Sequence, residues 1–139
     1  MFFLDTNVLV YGFDATAGQK YSIAAALLHH ALEEGAGCIS TQVVQECTHV
    51  LLKKIFPING AVAVRHLYNS TLFPLCRFHI TTPALYEKAL NLKERYQFSF
   101  YDSLIVAAAV LLGCDTLYTE DLQDGQGIED VRIVNPFLN

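Results

Sequence analysis

The chain has 139 residues, of which 53% are hydrophobic and 17% charged. That length predicts a single domain spanning 1–139, with a core that buries roughly 68–70% of the unfolded surface, and the low charge share excludes a disordered chain. Nine Lys plus Arg against 14 Asp plus Glu leave a formal net charge of −5, which excludes a globally basic nucleic-acid binder but not a nucleic-acid enzyme that neutralises its own acids with metal.

The longest apolar run, Leu104 to Cys114, is 11 residues. A membrane span needs about 18 or more, so no membrane partner is expected. Phe2-Phe3-Leu4 lacks a preceding basic region and is ended by Asp5, so it does not read as a leader. The expected compartment is the cytoplasm. Cys38, Cys47, Cys76 and Cys114 are scattered. They form no zinc spacing and read as reduced, mostly buried thiols.

In chain order, Phe2 to Leu4 reads as a short buried strand. Tyr21 to Glu34 reads as a helix, with Gly35 and Gly37 as its C-cap and turn. Cys38-Ile39 is a brief strand, and Ser40 and Thr41 suit the cap of a helix running to about Lys54, before Pro57. A helix over Ala61 to Tyr68 and a strand over Cys76 to Ile80 follow. Thr82-Pro83 opens a helix to about Tyr96. Phe100 to Leu112 is a strongly apolar helix stopped by Gly113, and Thr116 to Thr119 and Val131 to Val134 are closing strands. Strands alternating with helices predict an α/β fold with a parallel sheet and helices on both faces. In such sheets ligands bind beyond the carboxyl ends of the strands.

Four carboxylates stand out by position. Asp5 directly follows the first strand. It suits a ligand position there, and equally a turn or cap. Glu46 shares a helix face with Val43 and Val50. An unpaired buried carboxylate is costly, so it either serves a site or sits at the stripe edge, reaching solvent or paired with Lys53 or His49. Asp102 opens the apolar helix three residues after Ser99, a spacing that resembles a capping box. Asp121 follows the strand Thr116 to Thr119, with Asp124 three residues on in an acidic loop. Clustered carboxylates raise one another's pKa unless a cation sits among them. Oxygen-only ligands select hard cations such as Mg²⁺ or Mn²⁺, and an acidic site of that kind suits phosphoryl chemistry.

Leu4-Asp5-Thr6-Asn7-Val8-Leu9-Val10-Tyr11 resembles the opening motif of PIN-domain ribonucleases. Ser40 to Glu46, Ser99 to Ala109 and Thr116 to Gly125 resemble the second, third and fourth motifs, the last in the form seen in VapC-type toxins. The four occur in order across Leu4 to Gly125. The resemblance implies a three-layer α/β/α PIN-like fold with a central parallel sheet. It implies an Mg²⁺- or Mn²⁺-dependent endoribonuclease, usually a homodimer, acting on RNA and held inactive by a small antitoxin protein. Carried over, Asp5, Glu46, Asp102 and Asp121 are the metal-binding and catalytic acids, and Thr6, Asn7, Ser99 and Thr119 are supporting polar residues. Asp124 is the alternative fourth acid, because that position varies in the family. A metal-activated water would leave a 5′-phosphate and a 3′-hydroxyl.

Two other readings compete. An Asp-nucleophile phosphatase would need a second Asp where Asn7 stands. A non-catalytic PIN-like module for RNA or a partner is usually argued from lost acids, and none is lost here. His29, His30, His49, His66 and His79 show no paired acid–base spacing. Lys53, Lys54, Arg65, Arg77 and Arg95 are candidate phosphate contacts. Pro136-Phe137-Leu138 is an apolar segment suited to docking on the domain or on a partner.

Overall fold

The structure is a computed structural model that describes residues 1–78 and 81–138. Its elements, in chain order, are β1 (Phe2–Leu4), α1 (Thr6–Phe13), α2 (Gln19–Glu33), β2 (Gly37–Ser40), α3 (Thr41–Val50), α4 (Gly60–Leu67), α5 (Phe73–Leu75), β3 (Cys76–Phe78), α6 (Pro83–Tyr96), α7 (Phe100–Leu111), β4 (Thr116–Tyr118), β5 (Gly127–Ile128) and β6 (Val131–Val134). π-helical turns extend α3 over Leu51–Ile55 and α4 over Tyr68–Leu72.

Phe2, Phe3 and Leu4 are all buried. A run apolar on both faces is what a central parallel strand needs, and β1 lies at the centre of a sheet ordered β3-β2-β1-β4-β6-β5. β1 pairs in parallel with β2 and β4, β2 with β3, and β4 with β6. Only the edge pair β5–β6 is antiparallel. Helices cover this mostly parallel sheet in a three-layer α/β/α arrangement. In α7, Ser103 to Ala109 are buried without interruption. This matches a helix with almost no polar face. Phe3, Leu4, Ile39, Leu117 and Ile133 form the fully buried sheet core, each worth about 1.5–3 kcal/mol of transfer free energy.

The chain order of the sheet positions the site. From β1 the chain moves outward to β2 and β3, then returns to place β4 and β6 on the other side of β1. The β1–β4 boundary is therefore the topological switch point, where a crevice opens at the strand carboxyl ends. Leu4 pairs with Tyr118 across that boundary. Asp5 and Thr119 are thus the first residues beyond the sheet on its two central strands.

Several elements differ from the sequence expectation. α1 was not expected; Asp5 is its N-cap, and its carboxylate accepts a hydrogen bond from the Thr6 amide at 2.7 Å. Gly37 belongs to β2 and not to a turn, because a Cβ there would meet Ala31 and the Phe2 ring. Gly35 alone has the positive φ, 62°, of the turn after α2. Ser40 occupies the N-cap of α3, yet its side chain makes no capping hydrogen bond. The expected strand over Cys76 to Ile80 is seen as Cys76–Phe78, and His79 and Ile80 lie outside the described residues. All four cysteines are free, and the Cys38 and Cys114 sulfurs stand 3.2 Å apart in the core. Among the described residues no helix is long and apolar enough to cross a membrane.

Candidate active site

Asp5 is only 5% exposed. One carboxylate oxygen accepts from the Thr6 amide at 2.7 Å and the other from the Thr119 hydroxyl at 2.8 Å. Burial pushes its pKa up to about 7, and the Asp121 and Glu46 charges add to the rise, against the lowering effect of the two hydrogen bonds. Thr119 is fully buried and acts as a hub. While donating to Asp5, it accepts from the Asp121 amide at 3.1 Å and from the Asn7 side-chain amide at 3.4 Å. The Asn7 amide also donates to the Asp121 carboxylate at 2.9 Å. One hydroxyl and one amide therefore hold the acids that follow β1 and β4 in fixed relation.

Glu46 sits at the edge of the apolar stripe of α3, half-buried beside buried Val43 and Cys47. Its partner is neither Lys53 nor His49: the Thr6 hydroxyl donates to it at 2.9 Å. The second Glu46 oxygen has no hydrogen-bond partner among the described residues, so it is free to accept from a ligand or water. Asp102 lies in the first turn of α7. Ser99 caps that turn by accepting from the Asp102 amide at 3.1 Å, and the Ser99 carbonyl accepts from the Ser103 hydroxyl at 2.8 Å. The capping uses the backbone of Asp102 alone. No partner for its carboxylate is found among the described residues.

Asp5, Glu46, Asp102 and Asp121 all line one cleft of about 720 Å³, together with Thr6 and Asn7. Asp124 does not line it; its carboxylate accepts from the Asn135 amide at 2.8 Å and pins the loop to the chain after β6. Of the candidate phosphate contacts, Lys54 lines the cleft and Lys53 does not. Arg77 donates to the Gly35 carbonyl at 2.8 Å, and Arg95 lies over the Tyr96 ring. His49 lines the cleft, whereas His30 stacks on Phe2.

The lining suits a divalent cation in the chemistry of its donors. All four acids offer hard oxygen donors. The Asn7 side-chain oxygen is buried and has no hydrogen-bond partner among the described residues, and such a group asks for a cation or a water. Burying Asp5 near two further acids costs free energy that a cation would relieve. Among the described residues no three His, Cys, Asp or Glu side chains stand together as a group that could hold an ion. The residues fit the ion in kind, as an open oxygen-lined cleft.

A second cluster, not foreseen from sequence, lies beside the cleft. Tyr11, on α1, donates to Glu120 at 2.7 Å, and Lys20 reaches Glu120 at 2.8 Å. Lys20 also lies over the Tyr11 ring, which packs edge-on against Phe137. This cluster clamps the residue next to Asp121 to the opening helices. Tyr11 is four residues from Asn7, on the same helix face. That spacing was the available signal once α1 was known.

Comparison with known proteins places the fold. Among curated proteins none matches the sequence. A solved toxin–antitoxin complex from Klebsiella pneumoniae is 23% identical with a TM-score of 0.67, covering 99% of this chain and 98% of that one. VapC20 of Mycobacterium tuberculosis, described as a sarcin–ricin loop cleaving toxin, is 23% identical with a TM-score of 0.61, over 95% of this chain and 99% of that one. FitAcB from Neisseria gonorrhoeae is 19% identical with a TM-score of 0.67, over 99% of each chain. The fold is thus shared with toxins of the VapC and FitB type. With the PIN-domain profile matching residues 2–123, the chain belongs to the PIN-domain family.

Proposed function

We propose that this protein is a Mg²⁺- or Mn²⁺-dependent endoribonuclease and the toxin half of a toxin–antitoxin pair. The observation that carries the reading is the convergence of Asp5, Glu46, Asp102 and Asp121, from four separate segments, on one cleft at the carboxyl ends of the parallel strands. Membership of the PIN-domain family and the likeness in fold to a cleaving toxin support it. The likeness to toxins solved in complexes with antitoxins supports an antitoxin partner, and the proposed assembly of the chain is a homodimer in the cytoplasm.

Asp5, Asp102 and Asp121 would hold the cation. When bound, it supplies a Lewis acid for the phosphodiester and lowers the pKa of attacking water. The rest of the mechanism belongs to the chain. Thr119 and the Thr6 amide fix both oxygens of Asp5, so that carboxylate enters the reaction already oriented. Asn7 holds one oxygen of Asp121. Glu46, held by Thr6 through one oxygen, uses the other to orient an attacking water and accept its proton. Asp102, unpartnered at a helix start, is free to turn toward the cleft.

The test is cleavage of total cellular RNA with Mn²⁺ or Mg²⁺, wild type beside Asp5→Asn and Glu46→Gln, with end-group analysis. Metal-dependent cuts bearing 5′-phosphates, lost by about a hundredfold or more in both variants, are the expected result. Cuts unchanged by Asp5→Asn, or a folded wild type that binds no Mn²⁺, would overturn it.

A further inference from the structure

A second cavity of about 210 Å³ lies beside the acid cleft, and Gln42, Gln45 and Tyr101 line both. Its remaining wall includes Ser40, Tyr86 and Phe100. Tyr101 is 66% exposed and Tyr86 47% exposed, so two aromatic faces stand open at the rim. Leu104 and Ala108, both buried, close the apolar part of the wall.

The wall also carries an unsatisfied polar group. Ser40 is 4% exposed, and its hydroxyl is buried with no hydrogen-bond partner among the described residues. A buried orphan hydroxyl costs free energy unless a ligand completes it. Capping α3 was the obvious use for this serine, and its side chain does not cap. The Gln42 amide donates to the Tyr101 carbonyl at 3.3 Å, which ties the glutamine at the cleft boundary to the start of α7.

We propose that this cavity is a base-binding subsite, taking one unpaired nucleobase of a single-stranded RNA whose phosphate lies in the acid cleft. Aromatic faces stack on any base, while hydroxyl and amide groups read its edge. The volume is below the roughly 300–1,000 Å³ of ordinary small-molecule sites, which suits a single ring system and not a whole nucleotide. The two cavities share a wall, so the base and its neighbouring phosphate can be held together. The inference rests on the nuclease reading for its choice of RNA, and it assigns the grip on the base to Tyr101 and the sequence preference of cleavage to Ser40 and Gln45.

The experiment measures affinity for four labelled seven-nucleotide RNAs (oligo-A, -C, -G and -U) in EDTA, which separates binding from cutting. The expected result is that Tyr101→Ala weakens the best-bound oligomer about 5- to 150-fold, the effect of one lost stack, and that Tyr101→Phe retains it. Ser40→Ala is expected to narrow the affinity gap between the best and worst oligomers, with melting curves confirming that each variant is folded. Unchanged affinities in both Tyr101→Ala and Ser40→Ala would overturn the proposal, as would a wild type that binds none of the four oligomers. Tyr101→Ala that releases a bound protein partner while leaving RNA affinity intact would overturn it in favour of a peptide site. The nuclease reading fails separately, on equal cleavage by wild type and Asp5→Asn.

Discussion

Asp5 carries the strongest residue-level conflict in the molecule, because the fold buries a carboxylate that the proposed chemistry needs charged. Burial and neighbouring acids hold its pKa at about 7, against 3.8 for the free group. Below about pH 4 the carboxyl is protonated in folded and unfolded chains alike, and the folded state bears no penalty. As pH rises toward 7 the unfolded chain loses this proton first, so stability falls; above about pH 7 the full penalty, about 4 kcal/mol, is in place. In EDTA, Asp5→Asn should therefore match the wild type within about 1 kcal/mol near pH 4 and exceed it by about 2–4 kcal/mol at pH 8, read by denaturant unfolding. A variant no more stable than wild type at pH 8 would show that the buried carboxylate is not strained. Divalent cation should act in the opposite sense. Mn²⁺ at a hundredfold over its dissociation constant should stabilise the wild type by about 2.7 kcal/mol at pH 8, less at pH 5 where protons compete, and Asp5→Asn hardly at all.

At the scale of elements, what was legible depended on whether a residue's role is set by its own segment. Long helices and apolar strands announce themselves by period, so α2, α3, α6, α7 and the central strands were all expected close to where they lie. Asp5 and Asp121 could be singled out because each follows an apolar strand, and Asp102 because Ser99 caps its turn. The short helix α1 escaped, since its first turn, Thr6-Asn7, is polar and reads as loop. With it went the Thr6–Glu46 hydrogen bond, which joins residues 40 apart in sequence and exists only because α1 packs on α3. The free hydroxyl of Ser40 escaped for the same reason: sequence suggests a cap, and only packing shows the cap unused. Gly37 is a further case, a supposed turn residue that is in fact a contact point between α2 and the sheet. Gly37→Ala should cost about 1–3 kcal/mol, because its methyl group meets the Ala31 backbone as well as side chains and has nowhere to move. Gly12→Ala should cost less, since the added methyl meets the flexible end of Leu28. Equal denaturation midpoints for Gly37→Ala and wild type would mean that α2 can slide on β2.

On the proposed nuclease reading, the whole molecule poses the problem of an acidic protein meeting a polyanion. Its net charge is −5, and five carboxylates, Asp5, Asp14, Glu46, Asp102 and Asp121, line the acid cleft, while Lys54 is its one lining Lys or Arg among the described residues. Long-range attraction therefore cannot be what brings RNA in. The fold instead sets the acid cleft at the switch point, where a bound cation would offset part of the local negative charge, and sets an aromatic, uncharged cavity beside it. With metal withheld, binding of that kind should draw on stacking more than on counterion release, and salt dependence separates the two. Each phosphate neutralised on a single strand contributes about −0.7 to the slope of log affinity against log salt. With one to three such contacts, affinity in EDTA should fall only about 3- to 20-fold between 50 and 200 mM salt, and Lys54→Ala should make the slope shallower by about 0.7. A slope steeper than about −4 would demand more cations than this cleft contains. It would mean that RNA is held on a basic groove completed by a second copy of the chain, with the cleft acting only where the strand is cut.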